Sequence, residues 1–138
     1  QERHERHNIH LQQKYATIKE EEVRYEEIMT EDAEYLVVAF GSAARIAQKA
    51  IEDCRSEGIK VGLLRPITLW PFPTKRAAEL AGQVKGILCA EINAGQMVQD
   101  IRLAVEGKTP VSHYGRMGGM VPTPEEIAEV IRKQLVQE

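Results

Sequence analysis

The sequence predicts an α/β fold in which helices cover both faces of a mostly parallel sheet. Apolar runs such as YLVVAFG and GILCAE alternate along the chain with longer amphipathic stretches, the patterns of buried strands and of helices laid on a sheet. The connections between them are short, and helix start and stop signals stand at several of the boundaries. Such alternation implies layered α/β/α packing joined by right-handed crossovers.

The first element is a short helix over roughly residues 6–20, where Leu11, Tyr15 and Ile18 recur on one stripe. Extending the stripe asks for an apolar residue at position 22, but Glu22 stands there. The period then falls to two, with Val23 and Tyr25 alternating against Arg24 and Glu26. Residues 22–28 therefore fit an edge strand with protective charges; a continued helix fits them nearly as well. Tyr35–Gly41 reads as a strand covered on both faces. Ser42 can cap a helix over Ala43–Glu57, whose Ala43, Ile46, Ala47, Ala50, Ile51 and Cys54 line one side, and Gly58 supplies the left-handed stop. Ile59–Arg65 is the next buried strand. Thr74 can cap a helix running to about Gly82, followed by a strand at Gly86–Glu91, a helix at Gln96–Val105 and a short strand at Val111–Tyr114. Thr123, Pro124 and Glu126 form a capping box with proline at the first helical position, ahead of Ile127, Val130, Ile131 and Leu135.

A length of 138 residues suits one core, and 43% hydrophobic with 28% charged residues is the balance of a soluble globular chain. No apolar run approaches the roughly 20 residues of a membrane span, and no signal-peptide pattern is legible. Cys54 and Cys89 have no partner cysteines at metal-ligand spacing, so they read as buried thiols of a cytoplasmic protein. The net charge of −3 is uneven: residues 1–34 hold five Lys/Arg against ten Asp/Glu, and the remainder holds 13 against 11. No basic face forms, which argues against nucleic acid. The acidic start, residues 1–21, reads as a linker arm ahead of an α/β domain at 22–138. Its uncapped polar opening, QERHERHNIH, reads as the continuation of an upstream segment.

The loop after the third strand is the most distinctive stretch. Pro66, Pro71 and Pro73 stiffen it, with Trp70 and Phe72 held between them. A rigid loop carrying aromatics, and no nucleophile, base or metal ligand, suits docking.

The segments HLQQKY (His10–Tyr15), EVRYEEIMTEDAEYLVVAFGSAARI (Glu22–Ile46), GIKVGLLRPITLWPFP (Gly58–Pro73), EINAGQMVQDIRLAV (Glu91–Val105) and YGRMGGMVPTPEEI (Tyr114–Ile127) together resemble the C-terminal domain of the alpha subunit of 2-oxoacid:ferredoxin oxidoreductases, and among these the 2-ketoisovalerate type. The resemblance implies the transketolase C-terminal fold, a three-layer α/β/α sandwich whose five-stranded sheet has an antiparallel first strand, and it favours a strand at 22–28. It also implies oxidative decarboxylation of a 2-oxoacid by thiamine diphosphate, with acyl transfer to coenzyme A and electrons passed through iron–sulfur clusters to ferredoxin. The implied partners are a preceding thiamine-type domain of the same subunit and beta-, gamma- and delta-type subunits. The chain departs from a complete alpha subunit. It has no pyrimidine-binding domain and no Gly-Asp-Gly segment with paired asparagines for diphosphate and Mg²⁺, and two cysteines cannot hold a four-cysteine cluster. The expectation is a fragment that binds none of these cofactors and is inactive alone.

In such sheets ligands and partners gather beyond the carboxyl ends of the strands, so the notable residues are weighed there. Glu91, followed by Asn93 and Gln96, either accepts local backbone N–H groups or reaches a neighbouring subunit. Arg116, among Gly115, Gly118 and Gly119, either turns toward a partner subunit or holds an anion such as a coenzyme A phosphate. Arg65 is expected to anchor the proline loop through carbonyls. His4, His7 and His10, spaced by three, read as a solvated helix face, and His113 as an ordinary strand-end residue. Trp70 and Phe72 are the best interface candidates, at least one of them projecting outward. A competing reading is a free-standing flavodoxin-like module that binds a nucleotide. A transketolase or lipoamide-coupled dehydrogenase shares the fold but lacks the WPFP and RMGGMVPTPEE segments in this form.

Overall fold

From the amino end, the computed structural model runs α1 (Glu2–Glu21), β1 (Tyr25–Ile28), β2 (Tyr35–Val38), α2 (Gly41–Ser56), β3 (Val61–Pro66), α3 (Thr74–Ala81), β4 (Gly86–Glu91), α4 (Met97–Val105), β5 (Val111–Gly115) and α5 (Pro124–Val130), which passes into a π-helical turn at Ile131–Leu135. It describes residues 1–136. The strands form a single five-stranded sheet in the order β1-β3-β2-β4-β5. β1 lies antiparallel on β3, and every other pair is parallel.

The apolar runs become central strands because both of their faces are covered. Val37, Leu63 and Leu88 pack under α2 and α5 with Ala47, Ile51, Ile127 and Ile131. Their neighbours Leu36, Val38, Leu64 and Ile87 point the other way, onto Leu80 of α3 and Ile101 of α4. Burying each of these large side chains stabilises the fold by roughly 1.5–3 kcal/mol.

Sheet order follows from the crossovers. The chain leaves β2 through α2 to reach β3 on one side, then returns through α3 to β4 on the other. The direction of winding therefore reverses between β2 and β4, the place where open α/β sheets leave a crevice.

The β1 edge is secured by charge. Arg65 meets Glu26 at 2.9 Å, and Arg76 grips both oxygens of Glu27 at 2.9 Å from α3. The turn leaving β1 puts Met29 at φ +54. Arg55 of α2 holds that turn by donating to the Met29 carbonyl (2.7 Å), both Asp32 oxygens (2.7 and 3.2 Å) and the Val61 carbonyl (2.8 Å). Gly62 makes the approach possible, since a Cβ there would stand 2.7 Å from the Met29 carbonyl oxygen.

Several boundaries differ from expectation for identifiable reasons. α1 is longer than 6–20 and has no buried residue; helical turns that bury nothing leave no apolar pattern to read. The edge strand occupies only Tyr25–Ile28 of 22–28, because α1 takes Glu21 and caps at Glu22. β2 stops at Val38, and α2 begins at Gly41 with Phe40 as N-cap, not with Ser42. Gly41, at φ +56, makes the bend itself. β3 starts at Val61 instead of Ile59 and includes Pro66. Thr74 is inside α3 behind the N-cap Pro73, and Gln96 is the N-cap of α4 instead of its first residue. Gly58 closes α2 as expected, its N–H on the Arg55 carbonyl and that of Ile59 on Cys54. The capping box at Thr123 and Glu126 is also present.

Candidate functional site

Four segments meet at the carboxyl edge of the sheet: Phe40–Gly41, the proline loop, the loop from Glu91 to Gly95, and the glycine loop after β5. At the centre is Glu91, the last residue of β4, fully buried. Its carboxylate accepts the backbone N–H of Met97 at 2.8 Å, of Val98 at 3.2 Å and of Gln96 at 3.2 and 3.3 Å, together with Asn93 Nδ2 at 3.2 Å. These are the unpaired donors of the first turn of α4, where a negative charge is favoured. Burial pushes the Glu91 carboxyl upward, but these bonds outweigh it and hold its pKa below the usual glutamate value. The carboxylate is therefore ionised and already saturated with donors, which makes it an anchor for the 92–96 loop.

Two neighbours complete this cluster. Cys89 donates its thiol to Glu91 at 3.4 Å, and burial and the Glu91 charge push its pKa far up; a thiol so held is inert. His113 Nε2 lies 3.3 Å from Glu91 Oε2, yet it is out of line for a hydrogen bond and has no other partner. The β4–β5 and 91–96 segments press together because Gly115 has no side chain: a Cβ there would sit 2.0 Å from the Asn93 carbonyl oxygen.

The glycine loop is fastened to α5. Arg116 Nη1 pairs with Glu126, whose other oxygen accepts the Thr123 N–H at 2.9 Å while Thr123 Oγ1 accepts the Glu126 N–H at 3.2 Å. Met117, Met120 and Val121 of this loop are exposed.

The proline loop divides its residues by direction. Pro66, Pro71 and Pro73 are buried, and Phe72 packs half-buried against the core under α3 and α4. Ile67, Leu69 and Trp70 face solvent, with Trp70 56% exposed. The Ile67 and Thr68 N–H groups donate to the Arg24 carbonyl at 2.9 and 3.1 Å, and Thr68 Oγ1 donates to the Pro71 carbonyl at 2.8 Å. The Trp70–Pro71 bond is cis. Tyr15 of α1 rests edge-on against the indole, with ring centroids 5.8 Å apart.

Glu91, Asn93 and Gln96 thus form one cluster, whereas Trp70 and Arg116 lie on separate loops of the same edge. Arg65 departs from expectation: its partner is the Glu26 carboxylate across β1, not loop carbonyls. His4, His7 and His10 are exposed along α1. Tyr15 against Trp70 and His113 against Glu91 were not foreseen. Placing β5 beside β4 would have shown the second pair, since Glu91 registers with Gly115 and His113 shares that face.

The chemistry open to this edge is limited. Among the described residues no group of three or more His, Cys, Asp or Glu could hold a metal ion. Cys54 and Cys89 are buried in cores on opposite faces of the sheet. These residues do not fit an iron–sulfur cluster.

Comparison with known proteins gives this geometry a family. The pyruvate:ferredoxin oxidoreductase core domain II family matches residues 33–127. The chain belongs to that family. It is 48% identical over 129 residues to the ketoisovalerate oxidoreductase subunit VorB of Methanothermobacter thermautotrophicus, covering 94% of this chain and 36% of that protein. The chain thus spans about a third of the length of the curated ketoisovalerate relatives it matches. The structure is similar to that of a 2-oxoglutarate:ferredoxin oxidoreductase from Magnetococcus marinus, solved with 2-oxoglutarate, coenzyme A and succinyl-CoA bound (TM-score 0.72, 26% identity, 81% of this chain and 20% of that one). A split-gene transketolase shares the fold, with a TM-score of 0.68 at 18% identity over 81% of this chain and 41% of that one. The family match takes in β2 to the first turn of α5 and leaves β1, the antiparallel edge strand, outside it.

Proposed function

We propose that this chain is a non-catalytic assembly domain of the alpha subunit of a thiamine-dependent 2-oxoacid:ferredoxin oxidoreductase of the ketoisovalerate type. The observation that carries the reading is the proline loop. Its three prolines are buried while Ile67, Leu69 and Trp70 are turned into solvent, a preorganised apolar anchor of the kind that dominates interfaces. In the assembled enzyme thiamine diphosphate with Mg²⁺ would supply the decarboxylation chemistry, and iron–sulfur clusters would carry electrons to ferredoxin. Among the described residues the two cysteines are buried apart and no metal-binding group of His, Cys, Asp or Glu forms, which supports a reading in which the cluster ligands lie outside this chain. Residues 1–21 serve as an arm joining this domain to the rest of the subunit, and the glycine loop that Arg116 ties to Glu126 turns toward a partner subunit, an anion such as a coenzyme A phosphate being the second reading for Arg116. The buried free thiols suit a reducing cytoplasm.

The test is Trp70→Ala. The variant chain keeps its circular dichroism and melting behaviour, while its association with the beta-type subunit weakens about 30-fold, the loss of roughly 2 kcal/mol expected of an anchoring aromatic. An unchanged association constant, or oxoacid turnover by the chain alone, would overturn the proposal.

A further inference from the structure

The two edges of the sheet are built differently. β1 carries glutamates at two of its four positions, each in an ion pair, the usual guard against unwanted pairing. β5, the opposite edge, reads VSHYG and is half-buried along its whole length, with no Lys, Arg, Asp, Glu or Pro inside it. Its inner backbone groups are spoken for: the Ile87 N–H donates to the Pro110 carbonyl and the Arg116 N–H to the Glu91 carbonyl, which fixes the alternation in between. The N–H and C=O of Val111, His113 and Gly115 consequently point away from the sheet. Among the described residues no hydrogen-bond partner meets them.

We infer that β5 is a pairing edge for a second copy of this chain, joined antiparallel across a two-fold axis at His113. The outward residues are spaced so that the strand is complementary to itself. His113 meets His113 of the other copy and Val111 meets its Gly115, each couple exchanging both backbone bonds, while Ser112 faces Tyr114. Charge allows the register. Continued outward, it sets Arg116 opposite Pro110, Lys108 opposite Gly118 and Glu106 opposite Met120, so no charged residue meets its like. The exposed Met117 and Met120 of each glycine loop are carried to the start of the other copy's β5, where apolar surface now open to water would be covered. The two sheets become one continuous sheet. This surface is independent of the proline loop, so it stands or falls apart from the assembly role proposed above.

Proline at an outward position tests it cleanly, because it deletes a donor the inner ladder does not use. Sedimentation velocity of the chain over a concentration series is expected to show a monomer–dimer equilibrium. Val111→Pro, and separately His113→Pro, should each weaken dimerisation at least about 30-fold, from the two inter-chain bonds each removes. Hydrogen exchange should slow at Val111, His113 and Gly115 only in the dimer. Trp70→Ala should dimerise as the unaltered chain does. A chain that stays monomeric throughout, or a dimer that persists in either proline variant with unchanged circular dichroism, would overturn the inference.

Discussion

Glu91 shows how one side chain can settle a loop. The carboxylate takes the place of the cap that α4 lacks, since Gln96 makes no side-chain capping bond. It does so from inside the core, where an unpaired charge would be costly. Its depressed pKa sets the sign of a pH effect. A group whose folded value lies below its unfolded value contributes fully above the ordinary glutamate pKa of about 4.3, and that contribution is lost as pH falls through the folded value. Glu91→Gln should therefore lower stability by about 2 kcal/mol at pH 7, with the gap from the unaltered chain narrowing as urea titrations are taken into the acid range. Equal loss at every pH would show that the amide fails for reasons of shape. A comparable role for Glu91 was legible from its place between a strand and a helix. Its contact with His113 was not, because sequence alone does not say which strand lies beside β4.

Among the elements, those that bury both faces were readable, whereas α1, which buries none, was readable as a helix only over part of its length. β2, β3 and β4 follow from continuous apolar runs, and α5 from its capping box. There Thr123 and Glu126 satisfy each other's backbone N–H groups, and Glu126 also holds Arg116. Thr123→Ala should cost about 1 kcal/mol in chemical denaturation. It should also loosen the glycine loop, seen as faster hydrogen exchange at residues 116–121; loss of stability with the loop unchanged would mean that Arg116 alone orders it. α1 escaped full recognition because a helix in water needs no stripe. Ser42 looked like a cap, but the left-handed bend at Gly41 starts α2 two residues sooner. The Arg55 clamp on Met29, Asp32 and Val61 joins residues far apart in sequence, and no local pattern announces such a contact.

For the whole molecule, what the sequence could not show was which edge is left unguarded. Charges on residues 22–28 were visible, but only the order β1-β3-β2-β4-β5 places the uncharged VSHYG segment at the opposite rim. Docking by a rigid loop at one place and strand pairing at another are compatible, because they use different surfaces.

The positions of the two cysteines have a practical consequence. Cys54 is on α2 and faces α5, and Cys89 is on β4 beneath α3 and α4, both without solvent exposure. A maleimide added to the native chain should find neither sulfur, and each should react only when its own layer lifts. Following the two single-cysteine variants during denaturation gives a separate clock for each side of the sheet: matching rates mean the sandwich opens in one event, and divergent rates reveal which layer peels first.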